Sequence, residues 1–304
     1  MKFSVSLSTT ICLFLILELI FYSFIISDSL NFTLASHRWF EKYWRPINSL
    51  GYRDIEHSPA EFRDKRVIWV VGDSFVAGQG ISRIENRFSD ILQRNLGDQY
   101  LVTIIAQPGW NSADEYKAML SYPYQPKRII LCYLVNDVIG ANLKLGYGYP
   151  VHVEKPHNLI LEYSVEHSYT INFVYWRLFR FRNRDMGKKD WEYITASYSN
   201  PDIWKVHEAE LAQIIAYARN HEVALTVLLF PSLTDVKGSA PITSKVAEFF
   251  RANNVPVLNL EPLLESRDPG TMIVNSLDAH PNEALSKEIG ELLTHQIQTE
   301  ERGK

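Results

Sequence analysis

Val67-Ile68-Trp69-Val70-Val71-Gly72-Asp73-Ser74-Phe75 is a run of strand-forming residues that stops on a glycine and sets a serine at the turn. A short apolar, β-branched run bounded by Gly predicts a buried parallel strand, and the residues beyond it lead toward a helical pattern. Ser74 therefore stands where the carboxyl end of a strand opens into a crevice. Open α/β sheets bind ligands at that edge, so a serine there can meet a substrate, a base and backbone donors together.

Outward from this strand the pattern alternates. Residues 85–96 predict an amphipathic helix with Phe88, Ile91, Leu92 and Leu96 on one face, and residues 101–106 a second strand. Asn111 or Ser112 caps a helix through Leu120, where Ser112-Ala113-Asp114-Glu115 fits a capping box. Residues 128–134 form a third strand. Residues 204–220 read as helix, 223–230 as strand, 243–252 as helix, 256–260 as a short strand and 281–298 as the last helix. Strands alternating with helices predict an α/β fold. The expected architecture is a three-layer α/β/α sandwich around a mainly parallel, flavodoxin-like five-stranded sheet.

The 304 residues are 46% hydrophobic and 22% charged, the balance of a folded chain. A net charge of −4 gives no basic footprint, which argues against nucleic acid as a partner. Only two cysteines occur, Cys12 in an apolar run and Cys132 in a predicted core strand, so no disulfide framework is implied. No Cys or His pair has zinc-site spacing, and no metal or other cofactor is expected.

Residues 11–26 are almost unbroken in apolar character and follow Lys2 and a string of Ser and Thr. With its uncharged flank the run approaches the ~20 residues that span a bilayer. The nearest small-x-small site, Thr33-Leu34-Ala35, comes late for a cleaved signal peptide. The expectation is an uncleaved single-pass transmembrane helix within 1–27, with the following domain on the extracytoplasmic side. Glu18 inside the run reads as a tolerated acid, with a functional intramembrane carboxylate as the alternative. Residues 28–66 read as a juxtamembrane connector, with Trp39, Tyr43 and Trp44 suited to an interface. Within it, Asn48-Ser49-Leu50-Gly51-Tyr52-Arg53-Asp54 reads as a turn fixed by Gly51. Residues 67–304 form the main domain.

An insertion at about 140–200 breaks the alternation. It is dense in aromatics, from Tyr147 to Tyr198, and carries Arg177, Arg180, Arg182, Arg184, Lys188 and Lys189. Leaving the sheet directly after Asn136-Asp137, it must emerge beside the crevice. A cap that shapes the site is the expectation. Docking on an anionic membrane and a plain packing excursion are the alternatives.

Three further stretches gain meaning from Ser74: Gln107-Pro108-Gly109-Trp110-Asn111-Ser112, Tyr133-Leu134-Val135-Asn136-Asp137 and Asp278-Ala279-His280-Pro281-Asn282. A serine hydroxyl needs a base to take its proton, and the imidazole of His280 suits that task. Asp278 can accept the other ring N–H. Singly, each residue has an ordinary role: Ser74 as a helix N-cap, His280 as a loop residue, Asn136-Asp137 as an Asx-turn. Rival motifs fail on spacing, because Val76 stands where an α/β-hydrolase elbow needs Gly, Ala77 stands where a phosphate-binding loop needs Gly followed by Lys, and Gly78-Gln79-Gly80 followed by Arg83 is no dinucleotide fingerprint.

Taken in order with Gly72-Asp73-Ser74-Phe75, these stretches resemble the four blocks of the SGNH (GDSL-type) hydrolase superfamily, over residues 48–298. The resemblance implies a catalytic triad of Ser74, His280 and Asp278. It also implies an oxyanion hole from the backbone N–H groups of Ser74 and Gly109 and the side-chain amide of Asn136. Two departures stand out. Leu134 replaces the Gly that usually opens the third block, and one residue, Ala279, separates Asp278 from His280 where two are usual. Some envelope polysaccharide acetylation enzymes of the superfamily show the shorter spacing. The expected function is a serine ester hydrolase acting on an O-acylated cell-envelope glycan or lipid, its partners being that acylated substrate and the membrane. An envelope O-acyltransferase and a non-catalytic glycan-binding protein are the alternatives.

Overall fold

The quoted run forms strand β1 (Arg66–Gly72), the second strand of a five-stranded sheet. The computed structural model describes residues 2–149, 153 and 156–302, with side chains described from residue 7 onward. Before β1 come helices α1 (Lys2–Ser23), α2 (Leu34–Tyr43) and α3 (Pro59–Asp64). After it come α4 (Ser74–Ala77), α5 (Phe88–Leu96), β2 (Tyr100–Ala106), α6 (Ser112–Ser121), β3 (Arg128–Leu134) and α7 (Ile139–Lys144). The insertion folds into three helices, α8 (Leu159–His167), α9 (Tyr169–Arg182) and α10 (Met186–Ser199). The chain returns through α11 (Pro201–Asn220), β4 (Ala224–Phe230), α12 (Val236–Ala252), β5 (Val257–Asn259) and α13 (Glu261–Leu264). It closes with β6 (Ile273–Asn275), β7 (Asp278–Pro281) and α14 (Glu283–Arg302).

The sheet runs β2-β1-β3-β4-β5 with every pair parallel, as the alternation of strands and helices predicts. Side chains of a strand alternate between faces, and β1 is apolar on both. Val67, Trp69 and Val71 pack with Met119 of α6 and Leu211 and Ile214 of α11, whereas Ile68 and Val70 pack with Leu92 of α5 and Ile289 of α14. The sheet is therefore covered on both sides, in three layers. The order places β1 and β3 side by side, with the chain leaving them in opposite directions along the sheet. A crevice opens at such a switch point, above the carboxyl ends of the strands.

Several elements differ from expectation. A short 3-10 turn occupies Ile84–Asn86, so the regular helix begins only at Phe88. Helix α12 starts at Val236 and contains Pro241, because Asp235 caps it by accepting from Gly238 N at 2.9 Å while Val236 and Ser239 are buried. The predicted capping box does not form. Asn111 caps α6 by accepting from Ala113 N at 3.0 Å, and Glu115 is fully buried with both carboxylate oxygens unpartnered.

The amino-terminal apolar run is helical as α1, yet among the described residues no helix is long and apolar enough to cross a membrane. The expected spanning anchor is thus not seen in the described residues. Nor is Glu18 a bare acid within the run. It accepts from the hydroxyl of Ser168, the N-cap of α9, at 2.5 Å and from the first two N–H groups of the helix, Tyr169 N at 2.9 Å and Thr170 N at 3.0 Å.

Candidate active site

Asp73 takes the cap position at the end of β1, its side chain accepting from Phe75 N at 2.9 Å. The ordinary N-cap role therefore falls to Asp73, and Ser74 becomes the first residue of α4 with its hydroxyl turned to another partner. That partner is His280, whose Nε2 lies 2.7 Å from Ser74 Oγ. Nδ1 of the same ring contacts Asp278 Oδ1, and the His280 N–H donates to that oxygen at 3.1 Å. All three residues are buried, with Ser74 8%, His280 7% and Asp278 1% exposed.

Asp278 and His280 do not lie in a loop, as expected, but on β7, the second strand of a β6–β7 hairpin. Ile273 pairs with Pro281 and Asn275 with Asp278. Residues two apart on a strand face the same way, so the short spacing brings carboxylate and ring together.

Sequence reading missed the other side of Asp278. Ser27 Oγ donates to Asp278 Oδ2, and Ser29 Oγ lies 3.3 Å from Oδ1 while accepting from Ala279 N at 3.1 Å. Ser29 N bonds Leu277 O at 3.0 Å, and Asn275 Nδ2 bonds Ser27 O at 3.0 Å. Between the serines, buried Asp28 meets Arg180 of α9 at 2.5 Å. The segment directly after α1 thus forms a wall of the carboxylate's pocket. A Ser-Asp-Ser triplet carries no sequence signal for such a role. Gly80 closes the remaining side: at φ +85° it has no Cβ, and one would stand 3.1 Å from Asp278 Oδ2 and 2.3 Å from Val274 Cγ2.

Burial alone would raise the pKa of Asp278. The hydrogen bond and charge of His280, with the Ser27 hydroxyl, outweigh it and hold the carboxyl below its ordinary value. Deeper carboxyls go the other way. Burial pushes Asp73 up and Glu115 and Asp137 well up, with the charges of Asp73 and Asp114 adding to the shift of Glu115 and those of Glu115 and Asp73 to that of Asp137.

The expected anion donors line the same cavity as Ser74 and His280, a space of about 710 Å³ that also touches Gly109 and Asn136. Pro108-Gly109 forms a turn closed by Trp110 N to Gln107 O at 3.3 Å, and Gly109 adopts φ +80°. Pro at the second and Gly at the third position fit a type II turn. Among the described residues neither the Ser74 nor the Gly109 N–H has a protein acceptor. Asp137 folds the end of β3 back, accepting from Leu134 N at 3.2 Å, and so sets Asn136 at the rim. Asn136 Oδ1 is buried without a partner.

The insertion divides its work. Helix α10 lines the cavity with Lys188, Asp190, Trp191 and Ile194, facing Ser232 and Thr234 across it. Helix α9 turns instead to α1, where Phe173 stacks on Phe21 at 4.4 Å. The residues before β1 also do more than form a turn. Buried Arg53 donates to Gly78 O at 2.6 Å, Ile81 O at 2.7 Å and Ala77 O at 3.2 Å, bracing the loop behind Ser74. Among the described residues no group of His, Cys, Asp and Glu is arranged to hold a metal ion.

No protein-family model matches this sequence, and no curated protein does. Solved structures do. An acetyl xylan esterase superposes with TM-score 0.46 at 14% identity, covering 76% of this chain and 99% of its own. A psychrotrophic esterase from Pseudoalteromonas gives 0.45 at 12%, covering 77% and 98%. A carbohydrate acetylesterase family member from Sinorhizobium meliloti gives 0.41 at 11%, again covering 77% and 98%.

Proposed function

We propose that this chain is a serine ester hydrolase of the SGNH (GDSL) type, with Ser74 as nucleophile, His280 as general base and acid, and Asp278 as the partner of its imidazole. The observation that carries the reading is the continuous line from Ser74 Oγ through both ring nitrogens of His280 to Asp278. As Oγ attacks the ester carbonyl carbon, Nε2 takes its proton, and Asp278 holds the ring in the tautomer that leaves Nε2 free to do so. Negative charge then develops on the former carbonyl oxygen, where the N–H groups of Ser74 and Gly109 and the Asn136 amide can receive it. Collapse expels the alcohol with the proton held on Nε2. Water, activated by the same nitrogen, releases the acid from Ser74.

The substrate proposed is an O-acylated glycan or lipid of the cell envelope. A cavity bordered by Lys188, Asp190, Ser232 and Thr234, with the Trp191 ring between, suits a polyhydroxylated alcohol component. The proposal also keeps the chain at a membrane through α1, with the domain on the extracytoplasmic side. Exposed Leu13, Leu15 and Leu19 support that attachment.

Full-length chain in detergent micelles with p-nitrophenyl acetate tests the chemistry. Turnover that disappears in Ser74→Ala, with fluorophosphonate labelling mapped to Ser74, is the expected result. Acetyl delivered to an added glycan in preference to water would make the protein a transferase. Neither turnover nor labelling would leave a non-catalytic binder.

A further inference from the structure

We infer that the outward side of the α8–α9 hairpin is seated in the headgroup region of an anionic lipid leaflet, beside α1. The inference rests on the membrane reading of α1 and does not depend on the chemistry at Ser74.

The hairpin leaves an unusual amount of apolar side chain in water. Leu159 and Ile160 at the start of α8 are 81% and 78% exposed, and on α9 Phe173, Val174, Leu178 and Phe181 are exposed as well. Arg177 and Arg182 lie exposed between them, and the Arg184 guanidinium sits 3.9 Å above the Phe181 ring. Apolar side chains interleaved with arginines suit the boundary where acyl chains meet phosphate. The acids of α8 stay off this side. Glu162 and Glu166 line a separate cavity with Phe32 and His37, while Leu161, Val174, Leu178 and Arg182 share an outward groove of about 440 Å³.

The face is continuous with α1. Besides the Phe21–Phe173 stack, Tyr22 meets Tyr169 edge-on at 5.1 Å, and the Arg38 guanidinium lies 3.8 Å over the Tyr22 ring. Glu18 supplies the independent observation. A carboxylate in water has no need of protein donors, whereas one among exposed leucines at a lipid boundary needs all it can find. Glu18 has three, from the Ser168 cap and the first two N–H groups of α9. The start of α9 must therefore lie at the depth of Glu18. A second copy of the chain is a poorer occupant, because two-fold pairing through this face would set its arginines against themselves.

Environment-sensitive probes on single cysteines test the placement. In a Cys12→Ser background, with Cys132 buried, Ile160→Cys and Phe181→Cys are labelled with an NBD fluorophore, and the full chain is reconstituted into phosphatidylcholine–phosphatidylglycerol vesicles. Leu15→Cys reports on α1, and Lys287→Cys on exposed α14 serves as the water-side control. Blue-shifted emission and quenching by nitroxide-labelled lipid at 160 and 181, with neither at 287, is the expected result. Water-like emission at 160 and 181 with quenching at 15 overturns the inference and leaves the attachment of α1 intact. Water-like emission at all four overturns both. Blue-shifted emission at 160 and 181 without lipid quenching, in a species of doubled mass, means a second copy covers the face and likewise overturns it.

Discussion

Asp278 and His280 project from the same side of β7, and that strand direction makes one intervening residue sufficient for the carboxylate to reach Nδ1. In Asp278→Asn the amide presents a donor as well as an acceptor to the ring, so the tautomer that leaves Nε2 free loses its preference. On p-nitrophenyl acetate kcat should fall by ~10³–10⁴, the size of the effect when a triad carboxylate is neutralised. A native circular dichroism spectrum with near-normal KM would complete the result, and a kcat within tenfold of wild type would remove Asp278 from the mechanism.

Ser27 should act through Asp278. A hydrogen bond to a charged group is worth ~1.5–3 kcal/mol, so Ser27→Ala is expected to lower kcat by about tenfold or more, with Ser27→Thr restoring most of it. The pH dependence has a definite sign. Because the folded-state pKa of Asp278 is depressed, its contribution to stability is present above the unfolded value and is lost as pH falls through the folded one. The Ser27→Ala deficit in Tm should therefore be largest near neutrality and shrink in acid. A deficit independent of pH would mean that Ser27 only packs.

Asn136→Ala removes the single side-chain donor proposed for the oxyanion. A loss of ~10²–10³ in kcat with little change in KM is expected, since the charge it meets exists only after attack. If KM rises while kcat holds, Asn136 binds the ground state and the donor assignment is wrong.

Glu115 predicts a stability effect of opposite pH sense. Its folded-state pKa is raised by burial, so its contribution is intact below the unfolded value and is lost as pH climbs toward the folded one. Glu115→Gln cannot ionise. Whatever fixed offset the amide brings, the unfolding free energy of the variant relative to wild type should increase with pH above ~4.5, by up to ~1.4 kcal/mol per unit while the wild-type acid stays protonated, and its Tm should rise in step. Parallel Tm profiles would show the carboxyl to be ionised in the folded protein.

Much of the architecture was legible because it follows from period and punctuation. The β-branched runs ending at Gly72, Ala106 and Leu134 specify strands covered on both faces, and their alternation with helices leaves few topologies. Ser74 could be singled out because it follows a break in that pattern, whereas Gly109, Asn136 and His280 drew their expected roles from the resemblance of their stretches to the blocks of a known superfamily. What could not be read is long-range and polar. Ser27 and Ser29 reach a carboxylate some 250 positions away through hydrogen bonds that leave no periodic trace. Glu115 looked like a capping acid because its spacing from Ser112 is right, while the choice of Asn111 as cap and the burial of that helix face are tertiary. The β6–β7 hairpin is made of strands too short to show alternation, and so His280 read as a loop residue.

The wall that Ser27 and Ser29 build around Asp278 sets a limit on how the protein can be trimmed for work in solution. A version begun at Arg66, where the sheet starts, would carry all three members of the proposed relay yet open the aspartate to water and strip its hydroxyl donors. Removing the greasy helix while keeping everything from residue 27 onward is the cut that respects the chemistry.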